Sequence, residues 1–243
     1  MLTILVSIAG GLIAAWYYWR HEVPLVHWLG VTLDGKGFPP RDFVAGTAIG
    51  AISVILFAFV ELVLGTIRIR EDITFNITFL ANAAFLNLII VLILEFLERS
   101  LLLSGVFVIL AKRKWLALMI YLFILTGFRL PDAPLTLLSV IESTIVALIT
   151  GIAFLDTGRI WLGLGTTYAW LYLKIVIYGT TTQGAEFGGL VVQQVTDATL
   201  LTGSTDGADN GLIGLALRLF IFALTLMWLY RAKRQGDISN STI

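Results

Sequence analysis

Long apolar runs separated by short polar clusters dominate the chain, with little of the polar/apolar alternation that marks a helix or strand half-exposed to water. Met1 to Trp19 is apolar almost throughout and lacks the basic start and small-residue cleavage site of a secretory signal, so it is expected as a retained first span. Arg20 to Asp42 is polar and carries Pro24, a Gly35–Gly37 turn and the pair Pro39-Pro40, which together predict a loop or interfacial segment. Phe43 to Ile67 is a second span, closed by Arg68, Arg70, Glu71 and Asp72. Ile73 to Ala111 is interrupted only by Glu95, Glu98, Arg99, Ser100 and Gly105. As one helix it would extend roughly 60 Å, about twice a hydrocarbon core, so it must tilt strongly, break or cross twice. After the basic triplet Lys112 to Lys114 comes a short apolar segment, Trp115 to Phe128, closed by Arg129, Pro131 and Asp132. Leu135 to Leu155 and Ile160 to Tyr178 are two further spans on either side of the polar turn Asp156-Thr157-Gly158-Arg159. A Gly/Thr-rich loop, Gly179 to Asp209, precedes the last span, Gly211 to Tyr230, and a basic polar tail covers 231–243. The pattern predicts an all-α, polytopic membrane protein with seven or eight transmembrane helices in a single domain spanning 1–243.

Composition strengthens this reading. The chain of 243 residues is 58% apolar and 13% charged, with a mean hydropathy of +0.93. At roughly 20 apolar residues per span, that supplies about seven spans with little left for a water-soluble core. Sixteen basic residues balance sixteen acids and form no long stripe, so no nucleic-acid partner is expected. Cysteine is absent, which removes disulfides, thiolate metal sites and a cysteine nucleophile. Basic residues next to spans favour the cytoplasmic side, which places Lys112–Lys114 and the C-terminal cluster Arg231, Lys233 and Arg234 inside. The loop 179–209, with no Lys or Arg and four acids, goes to the opposite side. The same rule mildly prefers Arg68 and Arg70 inside, which requires Ile73 to Ala111 to cross twice.

Ionisable groups at membrane depth are costly and mark candidate sites. Here they are Glu61, Glu95, Glu98, Arg99, Glu142, Lys174 and Arg218. Glu95 and Arg99 stand i, i+4 in the favourable orientation for an ion pair that fixes helix packing. Glu98 lies about 100° round an α-helix from Arg99 and calls for another partner, such as Lys174 or Arg218. Glu61 and Glu142 stand alone in apolar stretches and are expected neutral. Asn82 and Asn87 are expected to hydrogen-bond between helices. His21 and His27 are the only histidines, not at i, i+4 spacing, and His27 beside Trp28 fits the membrane interface with Trp16-Tyr17-Tyr18-Trp19. Gly10-Gly11 permits close helix approach, and neither a phosphate-binding Gly loop nor a G-x-S-x-G elbow is present.

Leu94-Glu95-Phe96-Leu97-Glu98-Arg99-Ser100 resembles the EExxxR motif of the CPBP family of intramembrane metalloproteases, the CAAX-processing and bacteriocin-processing (Abi) proteins, matching at Glu95 and Arg99. Phe154 to Trp170 looks like the family's third motif region, a Tyr-x-x-Thr-Gly-x-Leu-Trp turn followed by a helix with Gly-x-His-x-x-x-Asn. Gly127-Phe128-Arg129-Leu130-Pro131 sits where the family has FxxxH and a Pro-containing loop, and the loop with Leu201-Thr202-Gly203-Ser204 before a final span is similar to the family's C-terminal end. The resemblance covers 43–230 and implies a CPBP-like bundle. It also implies a catalytic centre, but the family's first Glu, two His and Asn fall here on Leu94, Arg129, Thr167 and Leu171. Leu has no polar atom, Arg no acceptor, and a Thr hydroxyl is a poor ligand for a metal that favours imidazole and carboxylate.

The resulting expectation is a catalytically inactive CPBP-family protein that acts as a binding or scaffolding subunit of a larger membrane complex. No catalytic residue, metal or cofactor is predicted, Glu95 and Arg99 are structural, and Glu98, Glu142, Lys174 and Arg218 are candidate cavity or partner-contact residues. The old intramembrane cavity, lined by Glu95, Arg99, Arg129 and Thr167, would admit a partner helix, a lipid or another hydrophobic ligand. Two rivals stand beside it: a divergent active metalloprotease using Glu95, Glu98 and Glu142, and a small transporter or channel using Glu61 or Glu142.

Overall fold

A helix starts at Pro40 rather than after it, because the first turn of a helix leaves its N–H groups unbonded and loses nothing to proline. In the computed structural model the described residues are 40–69, 71, 77–110, 113–129, 137–178, 190–193 and 211–234, with a few helical positions between 9 and 20. The expected first span as a continuous element, the segment with His21 and His27, most of the loop 179–209 and the C-terminal tail lie outside them. The described elements are α1 (Pro40–Val63), β1 (Ile67–Ile69), α2 (Ile77–Glu95), a π-helical segment (Phe96–Leu103), α3 (Ser104–Ile109), α4 (Lys114–Arg129), α5 (Leu137–Thr157), α6 (Trp161–Tyr178), β2 (Val191–Gln193) and α7 (Leu212–Arg234). The architecture is mostly helical, with one short two-stranded ribbon that the all-α expectation did not include.

Among the described residues, four stretches are long and apolar enough to cross a membrane: Pro40–Val63, Ile77–Ile109, Val140–Thr157 and Leu212–Arg234. Ile77–Ile109 is continuous through 33 residues, about 50 Å of helix, and does not turn back. The double crossing considered for this region is therefore not found. Helix α6 falls short in apolarity because it is the central helix, packed on α1, α2 and α5, and spends its positions on Gly, Thr, Tyr and Lys that contact protein. Helix α2 is the opposite case: only Asn87, Val91 and Glu95 are buried along it.

The contact between α1 and α6 is set by small residues. Methyl groups added at Gly46 and Gly50 would run into the carbonyl oxygens of Leu162 and Thr166, and one at Gly165 into that of Phe43. Gly46-x-x-x-Gly50 thus lets two backbones meet directly. The buried stripe of α1 continues through Ser53, Phe57 and Glu61, and Phe57 packs on Tyr178 with ring centroids 5.9 Å apart. The α5–α6 reversal turns on Gly158 at φ +66, a left-handed conformation that suits glycine, and Thr157 Oγ1 accepts the Arg159 N–H at 3.1 Å.

The helices have two ends. At one, the start of α4, the end of α5 and the end of α7 meet, since Asp156 pairs with both Lys114 and Lys233, the latter at 2.9 Å. The starts of α1 and α6 join there through Asp42 and Arg159, 3.3 Å apart. At the other end, β1 pairs antiparallel with β2, Arg68 opposite Val192. Arg68 therefore lies beside β2 and away from Lys114 and Lys233, against the mild preference for grouping it with the basic clusters. The reason is the uninterrupted rod, which changes ends once. Arg70 is outside the described residues.

Candidate functional site

Glu95, the last residue of α2, and Arg99, inside the π-helical segment, are both buried. The looser i→i+5 winding of a π-helix is uncommon and tends to occur at functional sites. Here it lets one guanidinium serve two carboxylates. Arg99 Nη1 lies 2.8 Å from Glu98 Oε2 and 3.3 Å from Glu95 Oε1. The expectation that Glu98 needs Lys174 or Arg218 is thus corrected, because the α-helical angle that separated it from Arg99 does not apply to this winding.

The rest of the guanidinium is engaged by α5. Arg99 Nε and Nη2 both donate to Thr150 Oγ1, at 3.1 and 2.5 Å. Thr150 donates its own proton to the Val146 carbonyl oxygen at 3.0 Å, which frees its lone pairs for the arginine. From α6, Thr167 Oγ1 donates to Glu95 Oε1 at 3.2 Å. A methyl group at Gly163 would stand 2.9 Å from Glu95 Oε2, so this glycine makes room for the carboxylate. α2, the π-helical segment and α5 meet at Arg99, and α6 joins them through Thr167 and Glu95.

The motif positions divide accordingly. Glu95, Arg99 and Thr167 come together. Leu94 is 37% exposed on the outer face of α2, so a carboxylate there would leave the cluster. Leu171 is half-buried one turn beyond Thr167. The side chain of Arg129 is outside the described residues.

A second polar cluster lies further along α6. Tyr178 donates its hydroxyl to Glu61 Oε2 at 2.5 Å. Arg218 Nη1 is 2.8 Å from Glu142 Oε2, and its guanidinium lies 5.9 Å from the centroid of the Trp170 ring. Lys174 is within electrostatic reach of Glu61, Glu142 and Arg218. The two carboxyls expected to stand alone therefore have partners, which come from α6 and α7 and could not be read from their own segments. Asn87 reaches the Tyr168 carbonyl oxygen at 3.5 Å, whereas Asn82 is exposed.

Sequence reasoning did not single out Thr150, Tyr178, Trp170 or the Gly46/Gly50/Gly165 contact. Of these, Gly46-x-x-x-Gly50 was legible as a spacing, and Tyr178 stands i+4 from Lys174. Thr150 carried no local signal, since its partner is remote in sequence. Among the described residues no three His, Cys, Asp or Glu side chains converge in a way that could hold a metal ion. Comparison with protein-family models, curated proteins and solved structures finds no match to this chain.

Proposed function

We propose that the chain is an integral membrane protein of CPBP-like architecture without a protease centre, acting as a binding or scaffolding subunit of a membrane complex. The observation that carries this reading is the state of Arg99: both carboxylates of the motif are turned to it, and Thr150 and Thr167 complete the set. Groups so engaged hold helices together and are poorly placed to activate water. On this reading the six described helical runs each cross the membrane, four of them long and apolar enough by themselves, and the first span expected from the sequence makes seven. Orientation follows the basic clusters, with the Lys114–Asp156–Lys233 end cytoplasmic and the ribbon end opposite. The face offered to a partner helix is that of α2, where Phe85, Ile89 and Ile93 are exposed.

Affinity purification from native membranes in mild detergent tests the scaffold role. A stoichiometric membrane-protein partner, lost when Phe85 and Ile89 are changed to Ala, is expected. A chain that runs alone and associates with nothing in native membranes overturns it. The rival metalloprotease reading predicts bound divalent metal and peptide cleavage abolished by Glu95→Gln.

A further inference from the structure

Helices α1, α6, α5 and α7 pack as a ring, in which α6 and α7 each lie against both α1 and α5. Each contributes one charged side chain within about two turns of the ribbon end: Glu61 from α1, Lys174 from α6, Glu142 from α5 and Arg218 from α7. Acid and base therefore alternate round the ring. Tyr178, the last residue of α6, adds a phenol that donates to Glu61 Oε2 at 2.5 Å. The other tyrosines of α6, Tyr168 and Tyr172, stack on each other on the opposite side of that helix from Lys174.

Glu61 and Glu142 are each 1% exposed. Arg218 Nη1 pairs with Glu142 Oε2 at 2.8 Å, and Glu142 Oε1 has no hydrogen-bond partner among the described residues. A buried acceptor with open lone pairs calls for a donor. Lys174 is within electrostatic reach of both carboxylates. The two cations differ in kind, since a guanidinium keeps its proton in a protein whereas a buried ammonium readily gives one up. Carboxyls grouped with a basic side chain at membrane depth are the parts from which proton relays are built.

We propose that Glu61, Lys174 and Glu142 form a proton-binding site loaded from the ribbon end through Tyr178. Arg218 is the fixed charge that holds one oxygen of Glu142, and the other, Oε1, is the acceptor. The Lys174 N–H bond breaks with its electron pair left on nitrogen, and an O–H bond forms at Glu142 Oε1. Glu61 returns a proton to the amine, drawn from the Tyr178 hydroxyl as water protonates that oxygen in turn. The net change is one proton on Glu142, with Lys174, Glu61 and Tyr178 restored. The four charges select this occupant: an inorganic cation would meet Lys174 and Arg218, an anion would meet two carboxylates, and a proton needs no room. Once neutral, Glu142 attracts Arg218 less, so loading loosens α5 from α7. Neither the scaffold role nor the family resemblance enters this inference.

The test uses the full-length chain in nanodiscs and infrared difference spectra recorded between about pH 5 and pH 9, in water and in deuterium oxide. A carbonyl band of a buried protonated carboxyl, shifted by deuterium, is expected to titrate. Glu142→Gln should abolish it, while Glu71→Gln, at an exposed position, keeps it. Lys174→Met should move the midpoint to higher pH by about one unit or more, because a cation beside the carboxylate is gone. In a pH jump, Tyr178→Phe, which lacks the relaying oxygen, should slow loading by about a hundredfold, and an unchanged rate overturns the route. If Glu142→Gln does not fold, wild type and Lys174→Met still decide: no titrating band in the first, or an unmoved midpoint in the second, overturns the site. A band that Glu142→Gln retains also overturns it and leaves the four groups as fixed ion pairs.

Discussion

Arg99 illustrates how a buried cation is accommodated at the level of single residues. Its charge is met by Glu95 and Glu98, and two further N–H directions end on Thr150. Removing one side of such an arrangement leaves the other charged and desolvated. Arg99→Gln is therefore expected to cost about 3–5 kcal/mol, and Thr150→Val about 1 kcal/mol, as for other hydrogen bonds between helices in lipid. Thermal unfolding in a fixed detergent checks both. The double variant Glu95→Gln/Arg99→Gln should melt above Arg99→Gln alone, since it also removes one stranded carboxylate; the reverse order would show that the pair does not act as a unit. The i, i+4 spacing of Glu95 and Arg99 was legible in the sequence because it is local. Thr150 and Gly163 were not legible as its partners, because they arrive from other helices and single residues of these types carry no address; Thr167 was set beside Glu95 and Arg99 only as what the resemblance implied.

Among elements, the closest approach is between α1 and α6, where helices with little polar contrast around their circumference are placed by the absence of side chains. Gly46→Val puts branched carbons against the Leu162 carbonyl oxygen and must push the helices apart. A loss of about 1–3 kcal/mol or more is expected, read as a lower melting temperature or a lost monodisperse peak in fluorescence-detected chromatography. Gly127→Ala is the control, because nothing stands within 4 Å of an added carbon there; equal damage from both changes would refute the crossing. Apolar runs and polar clusters located the helices well, since hydropathy alone marks a segment fit for lipid. Helix boundaries were less legible. The long run from Ile73 was open to a break until the π-helical segment showed how polar residues can be taken up without one. Nor could a three-residue strand pairing be read from segments so short and so far apart.

For the whole molecule, the two ends of the helical array carry different elements: the Asp156 pairs with Lys114 and Lys233 at one, the β1–β2 ribbon at the other. Arg68 and Arg234 are at opposite ends of the helical array, and the chain has no cysteine of its own. On the proposed membrane orientation, single cysteines introduced as Arg68→Cys and Arg234→Cys should react with a membrane-impermeant maleimide from opposite sides of sealed vesicles, the second only from the cytoplasmic face. Labelling of both from one side would mean that the rod Ile77–Ile109 does not separate them. The ribbon adds an element of timing. Its register joins Ile67 to Gln193, and the rod, α4, α5 and α6 are all made between the two strands. During synthesis from the N-terminus, β1 is made before the rod, α4, α5 and α6, and it can pair only once β2 has followed them. Pairing of β1 with β2 thus requires every helix from the rod to α6 to have been made first, so the ribbon ties an early part of the chain to a late one.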